Sequence, residues 1–197
     1  MDTLSVLFSI SATGCLLWGY WLYNRGIYKG TISPNVTTFF LWVIGGAVEA
    51  GSYWNITEDP LKRLFPIVCA TVVVVTFFFA LARGRFQKPK RIDILILVLD
   101  LELVLVMLTD YRPEYLMLMV QIDLILTFCP IWGSTWEKPE GEDPLPWMIW
   151  TLSYTLLTIT VMLRFEDGWD LVYPILNIFL HALVGIIARF RTAAPSG

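Results

Sequence analysis

The strongest constraint on this chain is its succession of apolar segments of nearly equal length. They cover residues 3–23, 37–56, 62–82, 92–109, 113–131, 146–163 and 169–189. Each approaches the roughly 20 residues that a helix needs to cross about 30 Å of hydrocarbon. Short polar turns separate them, so residues 1–197 read as one membrane domain: all-α, integral, with seven transmembrane helices. The chain is 56% hydrophobic and only 16% charged, against about 25% charged in a soluble domain. With a net charge of −3 and no basic stripe, nucleic acid is not an expected partner. The opening "MDTLSVLFSISATGC" has no basic region ahead of its apolar run, so the first helix reads as uncleaved.

Basic residues set the orientation, because Lys and Arg concentrate on the cytoplasmic side. Ten of the 14 fall on one side, dominated by "ARGRFQKPKR" at 82–91. That places the N-terminus outside and the C-terminus in the cytoplasm. Cys15, Cys69 and Cys129 all lie within spans. They read as small apolar filler and have no metal-ligand spacing.

A shift of 108 residues brings the two halves of the chain into register. Trp42 meets Trp150, Glu58-Asp59 meets Glu166-Asp167, Pro66-Ile67 meets Pro174-Ile175, and Arg83 meets Arg191. The spacing predicts two three-helix repeats, 3–82 and 113–189, joined by a linker helix over 92–109. An odd number of helices per repeat with a one-helix linker makes the repeats parallel. Transporters of that plan hold solute near the midplane, between the halves.

The segments "SPNVTTFFLW", "KRID", "QIDLILTFCPIWGSTWEKPEGE" and "YPILNIFL", in that order, resemble those of the PQ-loop and SWEET superfamily. The likeness is greatest to bacterial seven-helix members and covers about residues 14–190. It implies a bacterial inner-membrane protein with the three-plus-one-plus-three plan. It also implies a solute-contacting Asn on the third helix of a repeat, a role that Asn177 matches, and an Asp at position 123. The chain differs in having Pro130 without a following Gln, and "LLWGYW" in helix 1 where Pro-Gln would stand.

Several ionisable side chains sit inside spans: Glu49, Asp100, Glu102, Asp123 and His181. Intramembrane acids are expensive and usually functional. Asp123, Thr127 and Pro130 share one face of helix 5 by their spacing. Asp123 is the main candidate proton or cation site, with Glu49 second; the alternative for Asp123 is a cap from Ser9, Ser11 or Thr13. Trp42 and Glu49 share a face of helix 2, with Gly45 and Gly46 between them. Pro174, Asn177 and His181 share a face of helix 7, where His181 is placed to partner Asp123 or Glu49. The expected substrate site is Trp42, Glu49, Asp123, Trp150, Asn177 and His181.

Helix 4 has fourteen apolar residues over 92–109, and "LVLDLELVLV" at 97–106 sets two acids among them. On insertion scales about −7 kcal/mol meets about +6, so this span is marginal alone. Asp100 and Glu102 point about 200° apart. Asp100 is expected to face the protein's own helices, and Glu102 lipid or a second chain, so the two are candidate interface residues. The loop 132–147, rich in acids, Pro and Gly, reads as a cytoplasmic turn.

No catalytic signature is present, and no enzyme activity or cofactor is expected. The preferred reading is a SWEET-like small-solute transporter or facilitator working by alternating access, with optional proton coupling. The alternative is a non-transporting subunit or receptor. It would bind a partner protein through helix 4 and the cytoplasmic loops. The expected partners are the lipid bilayer, a small polar solute, and a second copy or another membrane protein.

Overall fold

The computed structural model describes residues 3–109, 113–166 and 168–193. These form seven α-helices: α1 (Thr3–Lys29), α2 (Val36–Ile56), α3 (Pro60–Arg83), α4 (Arg91–Thr109), α5 (Pro113–Glu137), α6 (Pro144–Leu163) and α7 (Trp169–Ala193). A short 3-10 turn, Pro139–Gly141, precedes α6. Four helical segments are long and apolar enough to cross a membrane: Thr3–Lys29, Pro60–Arg83, Pro144–Leu163 and Asp170–Phe190. Leu7, Trp18, Val75, Phe78, Met162 and Phe179 project from the outer surface. Such an apolar exterior marks a membrane protein.

The helix boundaries follow from local chemistry. Asn35, Asp59 and Asp143 each accept a hydrogen bond from a backbone N–H in the first turn of α2, α3 and α6, the usual work of an N-cap. Pro60 and Pro144 follow two of these caps, where a missing N–H costs nothing. α3 stops at Gly84, whose φ of +60° favours a residue without a Cβ. α5 differs from the sequence expectation: it runs through "WGSTWE" to Glu137, which leaves only 138–143 as loop. Pro130 therefore sits within a continuous helix.

α3 packs against α1 and α2, and α7 packs against α5 and α6. Contacts of α1 with α6 and of α2 with α5 join these groups, while α4 lies on α5 and α2. The α1–α6 contact is close because Gly19 lacks a side chain. A Cβ there would stand 2.5 Å from Trp150 Nε1. Trp150 instead donates to the Leu16 carbonyl at 3.3 Å, and the Ser153 hydroxyl donates to the Ala12 carbonyl at 2.7 Å.

Candidate functional site

A cavity of about 50 Å³ opens among α1, α2, α3, α5, α6 and α7. Five of the six expected substrate residues line it: Trp42, Glu49, Asp123, Asn177 and His181. Trp150 does not. It is buried one layer out, against the cavity-lining rings of Tyr20 and His181 at centroid distances of 4.7 Å and 5.9 Å, and packs α6 onto α1. Tyr20, Cys69, Thr127, Phe128, Tyr154 and Tyr173 also line the cavity.

The face of α5 predicted from spacing is the buried one. Asp123 is 4% exposed, and Thr127 and Pro130 are buried with it. Trp42 donates through Nε1 to the Thr127 hydroxyl at 3.1 Å, and that hydroxyl donates to the Leu124 carbonyl at 2.8 Å. Gly45 brings α2 against Asp123: a Cβ on Gly45 would meet Asp123 Oδ2 at 3.0 Å. The expected caps from α1 do not form, and Asp123 Oδ1 has no hydrogen-bond partner among the described residues. Glu49 Oε1 is buried and unpartnered in the same way.

His181 does not pair with either acid. Its Nδ1 lies 2.9 Å from the Asn177 carbonyl, one turn back on α7. In a neutral ring Nδ1 then carries the proton, since a carbonyl only accepts. Asn177 similarly donates to the Tyr173 carbonyl at 3.1 Å. The hydroxyls of Tyr154 and Tyr173 are 3.2 Å apart, and Tyr154 lies 3.7 Å from Cys69 Sγ. One wall of the cavity is therefore a chain of phenol and thiol groups.

Asp100 turns inward and Glu102 outward: Asp100 is 0% exposed, Glu102 exposed. Asp100 faces Asp123 across the α4–α5 contact. Neither Asp100 oxygen has a hydrogen-bond partner at bonding distance and angle among the described residues. The linker helix thus reaches the site from behind, and Asp100 does not belong to its outer surface. Asp93, seven residues before Asp100 and on the same helical face, is buried and accepts from the Lys90 backbone N–H at 2.9 Å.

Polar contacts close both ends of this arrangement. At the end where α1 begins, Lys62 of α3 is 2% exposed and pairs with Asp170 of α7 at 2.6 Å and Glu166 at 3.1 Å. Arg164 binds Asp59 and donates to the Ser5 hydroxyl at 3.3 Å. At the opposite end, Glu142 from the loop before α6 is 4% exposed. Its Oε1 accepts from the Tyr23 hydroxyl at 2.9 Å, and its Oε2 accepts from Trp147 Nε1 at 3.0 Å. Burial pushes the Glu142 carboxyl up to about 8, and these two hydrogen bonds hold it from rising further. The Ser33 N–H donates to the Gly141 carbonyl at 2.9 Å, and Lys90 pairs with Glu137. Between Glu142 and the cavity lie the rings of Tyr23, Phe39, Trp42, Trp147 and Trp150, in mutual contact.

The sequence reading missed Glu142, Lys62, Tyr20, Tyr154 and Tyr173. Glu142 sits among Glu140 and Asp143, and nothing in "EGED" distinguishes the buried acid. Comparison of the chain with protein-family models, curated proteins and solved structures gives no match.

Proposed function

We propose that this protein is a small-solute transporter or facilitator with seven spans, two parallel three-helix repeats and α4 as linker. The observation that carries this reading is the polar cavity among both helix groups, closed at each end by contacts between them. Such a cavity opens to one side when one set of end contacts parts and the other holds. The packing supports the repeat plan. Exchanging α1, α2 and α3 for α5, α6 and α7 turns the α1–α6 contact into the α5–α2 contact, and both occur. Pro66 and Pro174 lie inside α3 and α7 at matched places. The clustering of Lys and Arg favours a cell-membrane protein with the Glu142 end in the cytoplasm.

The test uses Cys69, which lines the cavity. Full-length protein with Cys15→Ser and Cys129→Ser is placed in vesicles and treated with a small hydrophilic thiol reagent from either face. Reaction from both faces is the expected result. A Cys69 that neither face reaches would rule out alternating access.

One observation favours a partner contact as well. Glu102 is an exposed acid midway along α4, flanked on the outer face by Val98 and Leu105. A bare carboxylate facing lipid is costly, so a second chain over Glu102 is the companion reading. Glu102→Leu and Glu102→Gln are expected to shift the protein to a smaller species in mild detergent. Retention of the wild-type size by both variants would remove the interface.

A further inference from the structure

We propose that the cavity binds a small organic cation, an ammonium of about methylammonium size, held by Asp123 and Glu49 against the faces of Trp42 and Phe128. This deepens the transport reading above and rests on it.

The charge of the lining comes first. Asp123 and Glu49 face the cavity, and no lysine or arginine lines it. The one histidine present has Nδ1 engaged by the Asn177 carbonyl. The basic side chains at the ends are engaged elsewhere, Lys62 with Asp170 and Glu166, and Arg164 with Asp59. Nothing in the lining therefore neutralises the two acids. Asp100 lies behind Asp123 and adds a third carboxyl to the cluster.

Unmet hydrogen bonding comes second. Asp123 Oδ1 and Glu49 Oε1 are shut away from water and accept nothing. Such oxygens are costly unless a donor reaches them. An ammonium group brings three N–H donors and a positive charge on one atom, whereas a hydroxyl brings one donor and no charge. Asp123 also lies close against α2, since a Cβ on Gly45 would stand 3.0 Å from its other oxygen.

Shape and surface come third. Trp42 and Phe128 are in contact, with centroids 4.9 Å apart, and Tyr20, Tyr154 and Tyr173 complete the wall. Aromatic faces attract a cation through the ring quadrupole, Trp most strongly. They do nothing comparable for an anion. The volume limits size: about 50 Å³ is a third of the roughly 150 Å³ that accommodates benzene in an engineered cavity. A sugar ring does not fit this conformation, whereas a one-carbon ammonium does.

The test is thermal unfolding of the full-length protein in detergent at constant ionic strength. It is titrated with methylammonium chloride, and in parallel with sodium chloride, methanol and glycerol. A bound ligand raises the transition by mass action. The expected result is a saturable rise with methylammonium and none with methanol at equal concentration. Asp123→Asn and Glu49→Gln should each raise the half-saturating concentration at least about tenfold. Trp42→Phe should retain binding, and Trp42→Leu should weaken it about threefold or more. These two variants keep the test alive if a carboxylate variant fails to fold. A response to methylammonium that sodium reproduces, or that survives all four substitutions unchanged, overturns the proposal. A saturable response to glycerol with none to methylammonium overturns the cation class while leaving a transporter of neutral solutes. No response to any solute, with Cys69 unreactive from both faces, overturns both.

Discussion

Lys62→Met is expected to lower the stability of the folded protein by about 3 kcal/mol. Removing one partner from a buried ion pair leaves the other charge uncompensated, at a typical cost of about 3–5 kcal/mol. The lower end applies because the Asp170 side chain keeps 14% of its surface exposed. Glu166 contributes little, since its side chain is 62% exposed and exposed pairs give about 0–1 kcal/mol. Replacing both buried members at once, Lys62→Met with Asp170→Leu, should recover most of the loss, because an apolar pair fills the same space without a bare charge. Denaturant unfolding in detergent separates the cases. A single variant within about half a kcal/mol of wild type would show that this contact does not hold α3 to α7.

Raising the pH should loosen the opposite end. The Glu142 carboxyl is held near 8 in the folded chain, against an ordinary value of 4.5, and burial is the largest cause. Between these values the unfolded chain has released the proton and the folded chain keeps it. Fewer protons are then bound on unfolding, so stability falls as pH rises. The contribution is complete below about 4.5 and exhausted above about 8. The slope is about 1.4 kcal/mol per pH unit in the middle of the window. Glu142→Gln has no such proton to lose and should flatten that part of the profile. At pH 5, where the folded chain keeps the proton, the amide replaces a neutral acid, with its oxygen accepting from Trp147 Nε1 and its NH2 donating to the Tyr23 hydroxyl, so the variant is expected within about 1 kcal/mol of wild type there. A profile with the same slope in wild type and Glu142→Gln would remove Glu142 from the pH response.

The helices were legible in the sequence because each is a long, mainly apolar run, and α2, α3 and α6 begin at a side-chain cap. The inward turn of Asp100 was legible too, since two residues' separation fixes opposite helical faces. The α1–α6 contact was not. It depends on Gly19 meeting Trp150 across 131 positions of chain, and neither residue differs locally from Gly14 or Trp147. The fate of Trp150 shows the limit of reasoning by internal repeat. Its counterpart Trp42 lines the cavity, whereas Trp150 sits one layer out, against the cavity-lining Tyr20 and His181 with centroids 4.7 Å and 5.9 Å away, and donates to the Leu16 carbonyl of α1. His181 was placed on the correct face but given the wrong partner, because its own backbone one turn away is nearer than any acid.

The pair Lys62–Asp170 joins positions separated by 108 residues, the length of the repeat. On the duplication reading, each is therefore the other's counterpart. While the two copies were still identical, this spot would have set a residue against its own duplicate. Two lysines there, or two aspartates, would repel inside a nearly waterless contact. On that reading the attraction arose once the two copies could change separately. On the same reading, a dimer assembled from residues 1–90 alone would put Lys62 against Lys62, and this seam would push the two halves apart.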